Sequence, residues 1–175
     1  MAHALTIALA LLTSASDEPI RDNSFLIEEA YNQEPGRIQH ISMLEVPRDG
    51  TWEYTFTEEW PLAGEAHQIS FILGAQSSGA ETGLSDWRVN YRPEFQFSKQ
   101  VRLAPRLGLV LPTGDSTRGL GSGSFGPEVL VALSAKLGNV LALHTNAGLT
   151  YLPSARNEAG DRAASLELRV GQSAI

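Results

Sequence analysis

The segment at residues 86–97, DWRVNYRPEFQF, alternates strictly between two kinds of side chain, and this pattern constrains the fold more than any other feature. The apolar set is Trp87, Val89, Tyr91, Pro93, Phe95 and Phe97, and the polar set is Asp86, Arg88, Asn90, Arg92, Glu94 and Gln96. Because successive side chains of a β-strand point to opposite faces, the pattern predicts a strand between an apolar medium and a polar one. A helix would mix the two sets on every face.

The same alternation recurs along most of the chain. It predicts eight strands, at residues 38–46, 51–60, 67–75, 86–97, 101–111, 125–135, 140–151 and 164–170. Each has the ~9–11 residues that a tilted membrane-spanning strand needs, or slightly fewer. We therefore predict an all-β fold, an antiparallel up-and-down transmembrane β-barrel over residues 38–175, either complete or part of a larger barrel.

Loop lengths alternate in the same region. The connections at residues 61–65, 98–100 and 136–139 are short, whereas those at 76–84, 112–123 and 153–162 are longer and polar. Outer-membrane barrels have short periplasmic turns and longer external loops. A soluble β-sandwich has no reason to alternate in this way. The exception is the first hairpin, whose turn at residues 47–50 is short where a long one is expected.

The two sets of side chains give a candidate interior and a candidate lipid-facing surface. The predicted interior-lining residues are Asp86, Arg88, Asn90, Arg92, Glu94, Arg102, Arg106, Glu128, His144 and Asn146. The predicted lipid-facing residues are Trp87, Tyr91, Phe95, Leu103, Leu107, Leu109, Val131, Leu143 and Leu149.

A hairpin centred on Lys99 would place Phe95 opposite Leu103, Tyr91 opposite Leu107, Pro93 opposite Pro105 and Arg92 opposite Arg106. Like charges directly opposite each other are unfavourable unless acidic groups lie nearby. We therefore predict an interior network in which Arg88, Arg92, Arg102 and Arg106 pair with Asp86, Glu94 and Glu128.

The N-terminal region differs from the rest. Residues 1–16 contain no charged side chain apart from His3, and an apolar run at residues 4–12 is followed by small residues, which predicts a secretory signal peptide. A buried N-terminal helix is the alternative. Residues 17–37 are acidic and irregular, and we interpret them as a periplasmic segment at the barrel mouth. Within them, residues 25–31 could form a short helix capped by Ser24, or a first strand.

Composition and motifs favour a non-catalytic protein. The net charge of −7 argues against a nucleic-acid partner, and the absence of cysteine excludes disulfides and thiolate metal sites. The histidines lack metal-ligand spacing, so we predict no metal and no cofactor. The run GSGSFG at residues 121–126 matches a phosphate-loop pattern, but the sequence after it predicts a strand rather than the required helix.

Several segments together carry a family resemblance. They are residues 27–34 (IEEAYNQE), 39–41 (QHI), 54–61 (YTFTEEWP), 82–86 (TGLSD), 104–107 (APRL), 111–115 (LPTGD) and 153–157 (PSARN). In this order they resemble the transporter-like outer-membrane proteins grouped with the MetA pathway of phenol degradation, with Ser85 where that family usually has Gly. The resemblance implies a Gram-negative outer-membrane barrel that transports small molecules, aromatic compounds among them, and has no catalytic residues. Barrels of that family generally continue past this length, so it also implies a truncated or divergent member.

Three functions follow from these patterns. The first is a channel or transporter in the outer membrane, with membrane lipid and small solutes as partners. The second is a filled barrel with a structural role or a surface role through its loops. The third is a soluble exported β-protein, whose core would be the aromatic face.

Overall fold

The computed structural model describes residues 5–10, 27–137, 141–157 and 159–175, and over these ranges the chain forms one antiparallel sheet. Its strands are β1 (Leu5–Ala10), β2 (Gln39–Val46), β3 (Trp52–Leu62), β4 (His67–Ser77), β5 (Thr82–Leu84), β6 (Trp87–Pro93), β7 (Phe95–Gln96), β8 (Val101–Leu111), β9 (Gly126–Leu137), β10 (Leu141–Arg156) and β11 (Arg162–Ala174). A 3-10 helix at Ser116–Arg118 lies between β8 and β9. Seven of the eight strands predicted from the alternation are confirmed as single strands, and the strand predicted at residues 86–97 is divided into β6 and β7.

The topology is up-and-down. The order along the sheet is β1-β2-β3-β4-β6-β8-β9-β10-β11, while the short strands β5 and β7 pair with β4 and β8. Over the described residues the sheet curls into a half-barrel, so the complete barrel, one of the two predicted forms, is not observed. Among the described strands, β1 pairs only with β2 and β11 only with β10, so the half-barrel has two free edges.

The central hairpin has the register that was predicted, with one interruption. Phe95 lies opposite Leu103 and Tyr91 opposite Leu107. Between these pairs the strand pairing is interrupted. The predicted pairs of Pro93 with Pro105 and of Arg92 with Arg106 do not form. Proline has no N–H to donate, so two prolines facing each other leave this stretch without ladder hydrogen bonds. The single strand predicted at residues 86–97 is therefore split into β6 and β7, and the amide of Glu94 donates instead to the carbonyl of Ala66, 2.9 Å away.

The two faces of the sheet are the reverse of those in a typical soluble protein. Large apolar side chains are exposed on the convex face, among them Leu107 (51%), Phe95 (49%), Leu109 (44%) and Tyr91 (38%). The concave face buries polar side chains, including Gln68, Ser70, Asn90, Arg92, Glu128, Ser134, His144, Asn146 and Thr150. The apolar residues buried in the strands beside them are the small Ala104 and Ala132 and the larger Val110 and Leu130.

Two of the predicted long loops are partly sheet. Residues 82–84 form β5 and pair with the end of β4, and β10 continues to Arg156 opposite β11. The prediction of a loop over residues 153–162 was therefore wrong for residues 153–156 and 162, which are in strands. Residues 112–123 do connect two strands as a loop, and they contain the 3-10 helix.

The predicted signal peptide falls largely on residues 1–4 and 11–16, which lie outside the described residues, as do residues 17–26. The described part, Leu5–Ala10, is β1 and pairs with β2 from Leu5 opposite Val46 to Ala10 opposite Ile41. Residues 27–37 form neither a helix nor a strand, so both predictions for residues 25–31 were wrong over the described part. Residues 28–33 cross the concave face instead.

Candidate functional site: a polar interior crossed by an N-terminal strap

Residues 28–33, which we call the strap, run transversely across the strands on the concave face. The amide of Glu28 donates to Asn146 Oδ1 on β10 at 2.7 Å, and that of Ala30 donates to Ser134 Oγ on β9 at 2.8 Å. Further along, the amide of Asn32 donates to Glu94 Oε2 at 2.7 Å and that of Gln33 to Gln68 Oε1 on β4 at 2.9 Å. These four strap amides thus bind side chains of the sheet and leave its backbone ladder intact.

Asn32 is the best-anchored side chain of the strap. Its Nδ2 donates to the carbonyls of Glu65 (2.9 Å) and Arg92 (3.1 Å), and its Oδ1 accepts from Arg92 Nε (2.8 Å). Arg92 Nη2 also donates to the carbonyl of Tyr31 at 2.6 Å. Because Asn32 and Arg92 are both buried, these bonds form away from water and tie the strap to the end of β6.

Glu128 on β9 is the centre of a charge cluster in the middle of the concave face. Its side chain is 1% exposed, and its oxygens lie 2.5 Å from Arg169 Nη2, 2.9 Å from Arg106 Nη2 and 3.5 Å from Arg88 Nε. Thr150 Oγ1 donates to the same carboxylate at 3.1 Å. A buried carboxylate needs such partners, because an uncompensated charge in the interior is costly.

Glu28 links the strap to this cluster. One carboxylate oxygen forms an ion pair with Arg106 Nη1, and the other lies 3.5 Å from Arg92 Nη1. Arg106 therefore bridges Glu28 and Glu128. The two arginines are well buried, with side chains 7% and 12% exposed for Arg92 and Arg106.

A second group of contacts lies beside the strap. Arg102 forms an ion pair with Glu94, and its guanidinium carbon lies 5.0 Å from the centre of the Tyr31 ring. On the other side, Ser134 Oγ and Nδ1 of the buried His144 are 2.7 Å apart, and His144 Nε2 lies 3.9 Å from Glu29. The strap thus has an arginine–glutamate ion pair on one flank and a histidine–serine pair on the other.

Asp86 does not join the arginine network as predicted. Its carboxylate accepts hydrogen bonds from the amides of Gly114 (3.1 Å) and Ser122 (2.7 Å) and from Ser122 Oγ (2.6 Å). It precedes β6 at the end where the loop at residues 112–123 folds inward, so loop amides are its nearest donors. The GSGSFG run is thus a loop fastened to Asp86, and β9 follows it as predicted.

A cavity of about 200 Å³ lies between this loop and the Glu128 cluster. Its lining is mostly polar: Glu53, Gln76, Ser85, Asp86, Arg88, Val110, Gly121, Ser122, Thr150, Leu152 and Glu167. The strap therefore crosses the concave face near the short-turn end, and the cavity lies near the long-loop end.

The predicted interior residues fall on the concave side in several groups. Asn90, Arg92, Glu128, His144 and Asn146 are buried, whereas Asp86, Arg88, Glu94, Arg102 and Arg106 are half-buried. Asn90 Nδ2 donates to Ser70 Oγ at 3.2 Å. A Cβ on Gly108 would lie 2.5 Å from Asn90 Oδ1, so a larger residue opposite Asn90 on β8 would displace the Asn90 side chain.

Every residue of the predicted lipid-facing set is exposed or half-buried. Tyr91, Phe95, Leu107, Leu109 and Leu149 are exposed, and Trp87, Leu103, Val131 and Leu143 are half-buried. Because alternate residues of a strand point to the same face, the pairing of neighbouring strands places these residues together on the convex face.

Sequence reasoning missed part of the site. Glu28 and Asn32 lie in an irregular segment without periodicity, and their partners are 33 to 118 residues away in the chain. Arg169 could have been found from the sequence, because Arg169 and Glu167 are alternate residues on the polar face of the same strand. The hydroxyls of Ser134 and Thr150 also follow the polar parity of β9 and β10, but carry no charge that would single them out.

This arrangement holds fixed charges and hydrogen-bonding groups around a polar interior. Across the described ranges, no group of histidine and acidic side chains is placed to hold a metal ion. No helix in the described part of the chain is long and apolar enough to cross a membrane. Comparisons with protein-family models, curated proteins and solved structures find no match to this chain, so the family resemblance stays a prediction.

Proposed function

We propose that the protein is an outer-membrane β-barrel protein that passes small polar solutes through its interior, with the strap as the closing element. The observation that carries this proposal is the inverted burial of the sheet. Apolar and aromatic side chains are exposed on the convex face, and charged side chains are buried on the concave face. Hydrocarbon lipid suits the first face and a hydrated interior suits the second.

The charged lining supports polar rather than hydrophobic solutes. A solute entering from the long-loop end meets Glu53, Asp86, Arg88 and Glu167 around the cavity, and then the cluster of Glu128. A nonpolar molecule would desolvate these groups without replacing their hydrogen bonds, which is unfavourable.

The strap supports a gate. Its described amide hydrogen bonds end on side chains of the sheet, so withdrawing it would not break the backbone ladder. Because the strap crosses β10, β9, β6 and β4, it obstructs the concave face at the short-turn end. In this proposal the structure corresponds to the closed form.

The second candidate is a barrel whose interior is permanently filled and whose role is structural. The dense contacts of Asn32 and Glu28 favour it. Under this alternative the strap never leaves, and no solute passes.

Planar-bilayer recording separates the two. Asn32→Ala removes three hydrogen bonds that hold the strap, and we expect it to raise the open probability well above that of the wild-type protein. Asn157→Ala is the control, because the exposed Asn157 side chain accepts a hydrogen bond from the Asp161 amide and bonds neither the strap nor the strap's partners among the described residues. Silence of both the wild type and Asn32→Ala at all voltages would overturn the gated conduit and favour the filled barrel.

A further inference from the structure

Glu28 occupies a position that a free carboxylate could take. Its two oxygens face two guanidinium groups, Arg106 Nη1 on one side and Arg92 Nη1 at 3.5 Å on the other. Planar guanidinium groups match carboxylate geometry better than other cations do. The carboxylate is supplied by a segment that lies outside the sheet, whereas both arginines lie on strands.

The arginine pair is built into the sheet independently of Glu28. Arg92 Nη2 lies 3.5 Å from Gln68 Oε1 on β4, and Arg106 is held by Glu128 at 2.9 Å, so each arginine has a partner in the sheet that does not depend on the strap. Both side chains are nearly buried, and the Nε of Arg106 has no hydrogen-bond partner among the described atoms. Without Glu28, Glu128 is the one described carboxylate in contact with Arg106 and no described carboxylate contacts Arg92, so the pair would carry unbalanced positive charge.

We infer that Arg92 and Arg106 form a binding site for a small carboxylate anion, which Glu28 of the strap occupies in the closed form. The inference rests on the proposed function. It names small carboxylates as the class of solute that binds between Arg92 and Arg106. A carboxylate that enters while the strap is withdrawn takes over the ion pairs of Glu28. The strap and the solute then compete for the same two guanidinium groups.

The test is chemical rescue of Glu28→Ala with acetate. This variant removes the carboxylate and leaves a space near the size of acetate between the two arginines. We expect Glu28→Ala to unfold at lower urea concentration than the wild type, and acetate to restore the midpoint in a saturable manner. At about 100 times its dissociation constant, a bound ligand raises the folding equilibrium constant about 100-fold.

Three controls make the result specific. Sodium chloride at equal ionic strength should rescue far less than sodium acetate. Acetate should not act on Glu28→Ala/Arg106→Gln, in which half of the site is gone. It should not act on Glu34→Ala either, because the half-buried Glu34 lies just after the strap and pairs with Arg37 rather than with Arg92 or Arg106. If Glu28→Ala fails to fold in chloride, its refolding yield in acetate gives the same readout.

Equal effects of acetate and chloride on Glu28→Ala, or rescue that persists in the Arg106→Gln double variant, would overturn the inference. Stability in detergent is measured without any conductance, so this result and the bilayer recording can fail separately. A silent bilayer with specific acetate rescue would leave the binding site in place and remove the conduit.

Discussion

Arg106 Nη2 lies 2.9 Å from Glu128 Oε1, although the residue directly opposite Glu128 in the sheet is Gly108. The arginine therefore reaches diagonally to a carboxylate two residues along the facing strand. The same carboxylate also contacts Arg88 and Arg169, so β6, β8, β9 and β11 are joined through one acidic side chain.

Replacing Glu128 with Gln should destabilise the protein by about 3–5 kcal/mol, because removing one partner of a buried ion pair leaves the others uncompensated. Three arginines would lose their common carboxylate in this variant. Urea unfolding followed by tryptophan fluorescence measures the effect. Glu167→Gln is the matched control, because its exposed ion pair with Arg169 should be worth about 0–1 kcal/mol. Equal losses in both variants would contradict the central role of Glu128.

Acid should release the loop at residues 112–123 through Asp115. The hydroxyl and then the amide of Thr117 hold the pKa of Asp115 below its ordinary value of 3.8. The folded pKa is thus below the unfolded one, so this stabilising contribution is complete above pH 3.8 and is lost as the pH falls through the folded pKa. The carbon-13 shift of the Asp115 carboxyl group should titrate below 3.8 in the wild type. Thr117→Val should move the titration upwards, and an unchanged midpoint would refute the assignment.

The sequence predicted the sheet well for a simple physical reason. Each face of the sheet has a uniform environment. The alternation of apolar and polar residues, such as Trp87 and Arg88, therefore shows which face each residue occupies. The hairpin register at Lys99 followed from the same pattern. The alternation could not predict that Pro93 and Pro105 interrupt the hydrogen-bonded ladder. This interruption arises because both strands lack an N–H donor where the two prolines face each other.

The interior was predicted less completely, because its contacts connect distant parts of the chain. Nothing near Glu28 or Asn32 in the sequence indicates that Arg106 and Arg92 are their partners. Asp86 was assigned to the arginine network because it lies on the same face of the sheet as the arginines. The alternation, however, does not show how far apart two side chains of one face lie along the strand direction. Asp86 lies at the loop end, where the amides of Gly114 and Ser122 are closer than the arginines.

The free edge of β11 gives a test of the membrane proposal. Ile175 and Ala142 exchange both backbone hydrogen bonds, at 2.9 and 3.0 Å, so alternate residues from Ile175 back to Ser165 face β10. The amides of Leu166, Leu168 and Val170 therefore point away from the sheet. Unpaired backbone groups are unfavourable in hydrocarbon, so in a membrane this edge must find a partner.

Amide hydrogen exchange in lipid vesicles should therefore protect Leu166, Leu168 and Val170 nearly as well as their neighbours. Glu167 and Arg169 are internal controls, because their amides face β10 in any environment. Fast exchange at the three outward amides with slow exchange at the two controls would mean that the edge contacts water, against the membrane proposal.

A charge on the convex face tests which medium contacts it. Leu107 is 51% exposed and lies in the middle of the sheet, opposite Tyr91 on β6 and Val129 on β9. In a lipid-facing position, Leu107→Arg should reduce the free energy of folding into vesicles by about 2–4 kcal/mol near the bilayer midplane. A soluble protein would tolerate this change, because an exposed arginine is well hydrated.

The matched variant is Glu53→Arg, which places the same side chain at an exposed position lining the cavity on the concave side. It should fold into vesicles with little loss, because the added guanidinium stays in a hydrated interior. The folded fraction can be followed by the difference in gel mobility between heated and unheated samples. Equal folding of the two variants, or a larger loss for Glu53→Arg, would show that the convex face does not contact lipid.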